Sequence, residues 1–100
     1  MMNIFLSPMA ERQLMDLLDY LEHKWSEKSR KTFLDKLTAS FNVIAHQPRS
    51  CPESEAFPNL FRCVVTKQTS FYYRISNHEI EVISISDNRQ DPEKLREELL

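Results

Sequence analysis

The chain contains no glycine in its 100 residues. Glycine is the residue that enters left-handed backbone conformations without steric penalty, so every tight turn here must be built from something else. Asn, Asp, Ser and Pro are the remaining turn formers. Asn77 and Asn88 are the expected glycine substitutes. The same absence removes whole function classes. Neither a phosphate-cradling P-loop nor a dinucleotide-binding fingerprint forms without glycines at fixed places.

Punctuation by proline and serine divides the chain. "NIFL" (3–6) reads as a short apolar strand. Ser7-Pro8 then reads as a helix start, with serine as cap and proline at the first helical position. Leu14, Leu18, Leu21 and Trp25 recur at helical spacing, with Leu17 beside them, and this helix is expected to end near Lys24. Ser26 is placed to cap a second helix with Glu27 in its first turn, where negative charge suits the helix dipole. Leu34, Leu37, Phe41 and Ile44 form its stripe, with Phe33 adjacent, and Pro48 stops it after His46. So short a link between the helices favours an antiparallel hairpin. Residues 48–58 hold three prolines and no periodicity, and read as a loop.

Three strands are predicted beyond it, at 60–66, 69–75 and 79–86, turning at Lys67-Gln68 and at Asn77-His78. Asn and His accept positive φ more readily than most residues. Asp91-Pro92 then opens a short terminal helix. The order β-α-α-β-β-β describes an α+β domain spanning 1–100. The last three strands form an antiparallel sheet, the first strand is added to it, and the helical hairpin lies on one face.

Composition narrows the function. The formal net charge is −2, which argues against gripping nucleic acid by bulk charge. No apolar stretch approaches the roughly 20 residues that cross a bilayer. The start, "MMNIFLSPMAER", lacks the basic head and apolar centre of a signal peptide, so a cytoplasmic location is expected. Cys51 and Cys63 match no metal or redox spacing and are expected to be free thiols. His23, His46 and His78 are scattered, so no metal site, cofactor or small-molecule substrate is expected.

The polar residues that stand out are Arg62, Arg74 and Arg89, each in or beside an apolar strand. Alternation puts Phe71, Tyr73 and Ile75 on one face of their strand, and Tyr72 and Arg74 on the other. The facing of Arg62 is not fixed by the pattern. These arginines are either solvated, or paired with Glu79 and Glu81, or a small cationic site for phosphate or carboxylate. Trp25 belongs to the core or to the hairpin tip. Lys24, Lys28, Arg30 and Lys31 cluster at that tip, either for solubility or as a contact for an acidic partner.

The ordered set "FPNLFR" (57–62), "LFRCVV" (60–65), "SFYYRIS" (70–76), "IEVISI" (80–85) and "DNRQDPEKL" (87–95) resembles the RelE/ParE toxins of bacterial type II toxin–antitoxin systems. The resemblance runs from about Met2 to Leu95. It implies a toxin neutralised by a cognate antitoxin, which would fill an apolar groove bordered by residues such as Met9, Met15, Phe33 and Val43. Arg62 falls where the family carries a strand arginine, and Tyr73-Arg74 matches its Tyr-Arg pair. Asp87-Asn88-Arg89 falls where many members have His-Gly-Arg. Target or antitoxin contacts are accordingly expected from Arg62, Tyr73, Arg74, Asn88 and Arg89, and at the tip from Trp25, Lys28, Arg30 and Lys31.

Two branches follow from the resemblance. RelE-like members cleave messenger RNA on the ribosome, and ParE-like members poison DNA gyrase. A ribonuclease needs a cation for the scissile phosphate and a proton acceptor for the 2′-hydroxyl. Arg62 and Arg74 fit the first role; Asp87 and Tyr73 are the poor candidates for the second. With the acidic balance and the long hairpin, the expectation is a gyrase-directed toxin. A RelE-like endoribonuclease, or a non-toxic protein-binding module of the same fold, is the alternative.

Overall fold

The computed structural model describes residues 1–88. The expected terminal helix after Pro92 lies outside them, as does Arg89.

Strand β1 (Asn3–Leu6) leads into helix α1 (Pro8–Lys24), then α2 (Glu27–His46), then β2 (Phe61–Val64), β3 (Thr69–Ser76) and β4 (Glu79–Asp87). Both helices begin where serine stands. Ser7 is extended and its hydroxyl accepts the Ala10 amide at 3.0 Å; Ser26 accepts the Ser29 amide at 3.0 Å. Each serine thus satisfies an amide that has no partner in the first helical turn. Between the helices the amides of Trp25 and Ser26 both return to the Leu21 carbonyl, which closes the first helix and leaves no room for a longer link.

The sheet order is β1-β4-β3-β2. The last three strands are antiparallel, as expected, but β1 joins β4 in parallel, with Ile4 opposite Ile80 and Leu6 opposite Val82. The sheet is therefore mixed. The long connection from β1 to β4, through both helices and two strands, lets β4 run the same way as β1, which a tight hairpin cannot do.

Beyond Leu6 no strand among the described residues covers the β1 side of β4. Helix α1 finishes that edge instead. The Ser7 amide donates to the Val82 carbonyl at 2.9 Å, and the Ser7 hydroxyl to the Ile83 carbonyl at 2.7 Å. Gln13 is buried, and its Oε1 accepts the Ile85 amide at 2.8 Å and the Ser84 hydroxyl at 3.2 Å. On the other side of β4 the ladder slips, because Tyr72 faces Ser84 while Tyr73 faces Val82. Ile83 is the extra residue of a bulge, and side chains from α1 settle the polar groups around it.

The turns answer the missing glycines. Asn77 and His78 take φ of 48° and 68°, the two left-handed positions of a two-residue hairpin loop. The third such residue among those described is Asn59, at φ 69°, rather than the expected Asn88. Between β2 and β3 the Thr66 hydroxyl accepts the amides of Gln68 and Thr69.

The core lies between the helices and one sheet face. Leu17, Leu18, Leu21, Phe33, Leu37 and Ile44 pack against Phe61, Phe71, Tyr73, Ile80, Val82 and Ile85. Trp25 is not part of it; the residue is 63% exposed at the hairpin tip. Of the residues expected to border an apolar groove, Phe33 is buried, whereas Met15 and Val43 are exposed. Among the described residues no helix is long and apolar enough to cross a membrane.

Candidate functional site

The sheet face turned away from the helices is the first candidate surface. Strand β2 alternates strictly, with Phe61 and Cys63 inward and Arg62 and Val64 outward. This settles the facing of Arg62. It lies opposite Tyr72, so Arg62 and Arg74 are diagonal neighbours on the open face. Tyr72 is half-buried beneath Phe57, whose ring meets it edge-on at 5.4 Å. On the far side Arg74 faces Glu81, and Glu81 faces Phe5, which is exposed. The open face thus presents Arg62 and Arg74 among Phe5, Phe57, Tyr72 and Val64.

The two arginines differ in charge state of their surroundings. Arg74 Nε donates to Glu81 Oε1 at 2.8 Å and its terminal nitrogen lies 2.7 Å from the same oxygen. Among the described residues no ion pair engages Arg62. Mixed aromatic and guanidinium surfaces of this kind recognise carboxylates through the planar fork and apolar side chains through the rings. A small cleft of about 160 Å³, lined by Phe5, Arg74, Asn77 and Glu81 among others, ends this face.

Two residues of the expected site are inside the protein. Tyr73 is wholly buried and its hydroxyl donates to the Pro48 carbonyl at 2.7 Å. Burial first, and Cys51 second, push its phenol well above the usual range. The side chain is spent on anchoring the 48–58 loop. Asp87 is 1% exposed and accepts the hydroxyl of Thr69, its partner across the ladder. The backbone pattern could not foresee this, because Asp87 looks like a strand terminator until the register brings Thr69 to it. Asn88 is exposed, and its amide donates to the Gln68 carbonyl at 2.9 Å.

The hairpin tip forms a second candidate. A cleft of about 360 Å³ runs between the tip and the β2–β3 turn, lined by Leu21, Trp25, Lys28, Phe33, Lys36 and Gln68 among others. Lys28 and Lys36 stand on one face of α2, two turns apart. Trp25 and Lys28 both line this cleft. Arg30 and Lys31 do not line this cleft, and Lys36, which does, carried no signal in the sequence beyond its helical phase.

A hairpin of two helices on a four-stranded mixed sheet is the fold of the RelE/ParE-like toxins. Three solved structures share it. The chromosomal ParDE system from P. aeruginosa superposes with a TM-score of 0.70 at 18% identity, covering 87% of this chain and 96% of that one. The YoeB/ParE toxin from Agrobacterium tumefaciens gives 0.62 at 14% identity, covering 86% and 98%. The DinJ–YafQ complex from E. coli gives 0.60 at 8% identity, covering 89% and 96%. No curated protein sequence matches the chain. The sequence profile of the ParE toxin of type II toxin–antitoxin system, parDE, matches residues 4–92. The chain belongs to the ParE toxin family of type II toxin–antitoxin systems.

Proposed function

We propose that the chain is a toxin acting on DNA gyrase without catalysing a reaction of its own, held inactive by a cognate antitoxin. The observation that carries this reading is the family match over residues 4–92, and the state of the expected ribonuclease residues supports it. Of the four, Tyr73 and Asp87 are buried and engaged. A phenol pushed up by burial is a poor proton acceptor at neutral pH, and a buried carboxylate does not reach a 2′-hydroxyl in solvent. What remains exposed is a pair of arginines suited to binding. The balance of charge, −2 overall, supports a protein target over ribosomal RNA.

Two of the similar structures are a ParDE system and a DinJ–YafQ complex. The antitoxin would engage the open sheet face through Arg62 and Arg74, or the tip through Trp25, Lys28, Arg30 and Lys31. Purified protein is expected to inhibit gyrase supercoiling and to leave ribosome-bound messenger RNA intact. The adjacent gene product is expected to co-purify with it and relieve inhibition. Codon-specific messenger cleavage that disappears in Arg62→Ala or Arg74→Ala would overturn the reading in favour of the RelE-like ribonuclease.

A further inference from the structure

The two cysteines, unremarkable in sequence, are brought together by the fold. The 48–58 loop folds back along the outer edge of β2. The Arg62 amide donates to the Pro52 carbonyl at 2.9 Å, the Ser54 amide donates to the Leu60 carbonyl at 2.7 Å, and Glu53 and Phe61 face each other in antiparallel register. Continuing that register by two residues sets Cys51 directly opposite Cys63. Arg62–Pro52 and Ser54–Leu60 are the hydrogen-bonded pairs, so Cys51–Cys63 falls at a non-hydrogen-bonded position. At regular positions of that kind the side chains approach most closely and Cα atoms lie about 4.5 Å apart, inside the range a disulfide spans. The two thiols also lie close enough for Cys51 to shift the titration of Cys63. Both are free. Cys51 is half-buried and Cys63 is buried.

We propose that Cys51 and Cys63 are a peroxide-responsive dithiol, which closes to a disulfide and clamps the loop onto the edge strand. The half-buried Cys51 is the entry point. Its thiolate attacks one peroxide oxygen and displaces hydroxide, giving a sulfenic acid at Cys51. Cys63 sulfur then attacks the Cys51 sulfur, and hydroxide leaves and takes up the Cys63 proton as water. Two thiols and one peroxide give one disulfide and two waters; the sulfurs lose two electrons and the peroxide gains them. Reduction by a small-molecule thiol reverses the step.

The environment of Cys63 sets the order. Burial, and then the neighbouring Cys51, push the thiol up to about 12. It stays protonated at neutral pH, which leaves Cys51 as the thiol that meets peroxide first. The clamp also bears on the open face. The enclosed segment carries Phe57, which meets Tyr72, and Arg62, which precedes Cys63. Closing the ring removes freedom from both without moving them far, since the loop already lies in register.

The test uses the reduced full chain treated with hydrogen peroxide. Expected are loss of two hydrogens in mass, a Cys51–Cys63 crosslinked peptide on non-reducing digestion, and a rise in Tm of about 10 °C that dithiothreitol reverses. Cys63→Ala is expected to accumulate a dimedone-reactive sulfenic acid at Cys51, and Cys51→Ala to stay unmodified at Cys63. A wild-type product that is an intermolecular dimer, or a sulfinic acid at Cys51 without the internal crosslink, overturns the proposal. So does an unreacted chain. The wild-type peptide map decides the matter even where a variant fails to fold.

Discussion

Replacing Gln13 with methionine tests the way helix α1 completes the sheet. The substitution keeps length and volume but removes the acceptor that receives the Ile85 amide at 2.8 Å and the Ser84 hydroxyl at 3.2 Å. An orphaned buried amide costs about 1–3 kcal/mol. The hydroxyl can rotate to a weaker partner, so its loss is nearer to 0.5–1.5 kcal/mol. Together Gln13→Met should destabilise the domain by about 2–4 kcal/mol, against a total of about 5–15 kcal/mol for a domain of ordinary stability. Urea unfolding followed by circular dichroism reads the change, which should lower the midpoint with an unchanged slope. Hydrogen exchange at the Ile85 amide should accelerate in parallel. Gln13→Met combined with Ser84→Ala should destabilise by less than the sum of the two singles, because both remove the same bond. A loss below about 0.5 kcal/mol, with Ile85 still protected, would refute the assignment of Gln13 as the acceptor that closes this edge.

Arg74→Ala removes an ion pair whose arginine side chain is 57% exposed, so stability should fall by no more than about 0–1 kcal/mol, while affinity for antitoxin or target should drop by roughly tenfold or more; calorimetry on the one variant separates the two. His78→Gly relieves a left-handed residue at φ 68° and should stabilise by about 1 kcal/mol, less the added freedom of the unfolded chain; unchanged or lower Tm would mean the turn holds no strain. Because the Cys63 thiol rises from 9.0 to about 12, the folded state holds a proton that the unfolded state releases, so its contribution is intact below about pH 9 and is lost as pH climbs toward 12. Tyr73, raised by the same burial, should extend that alkaline decline upward, and Cys63→Ala should flatten its lower part in a Tm-against-pH series.

What the sequence determined by itself is everything that local free energy decides. Ser7-Pro8 and Ser26 start helices because a cap acts within three residues, and the structure begins α1 and α2 there. Asn77-His78 makes the glycine-free hairpin because the preference for positive φ belongs to the residue itself. The outward facing of Arg74 followed from alternation on β3, and the family resemblance rested on the same ordered strands.

The tertiary structure alone decided which distant groups meet. Arg62 turned outward only once β2 was paired to β3, since a four-residue strand between a proline-rich loop and a turn carries too little pattern to show its phase. Tyr73 and Asp87 were expected at the site through the family resemblance, and the fold instead engages them internally, with a loop carbonyl at Pro48 and a hydroxyl at Thr69 from elsewhere in the chain. Gln13 sits among leucines with nothing to mark it until β1 ends short and leaves an edge of β4 to be closed. Cys51 and Cys63 are no motif, yet the antiparallel pairing of Glu53 with Phe61 directs the loop so that the two come near each other. Caps and turns are fixed by bonds within a few residues, whereas these meetings depend on strand register, which is set by the packing of the whole sheet against the helices.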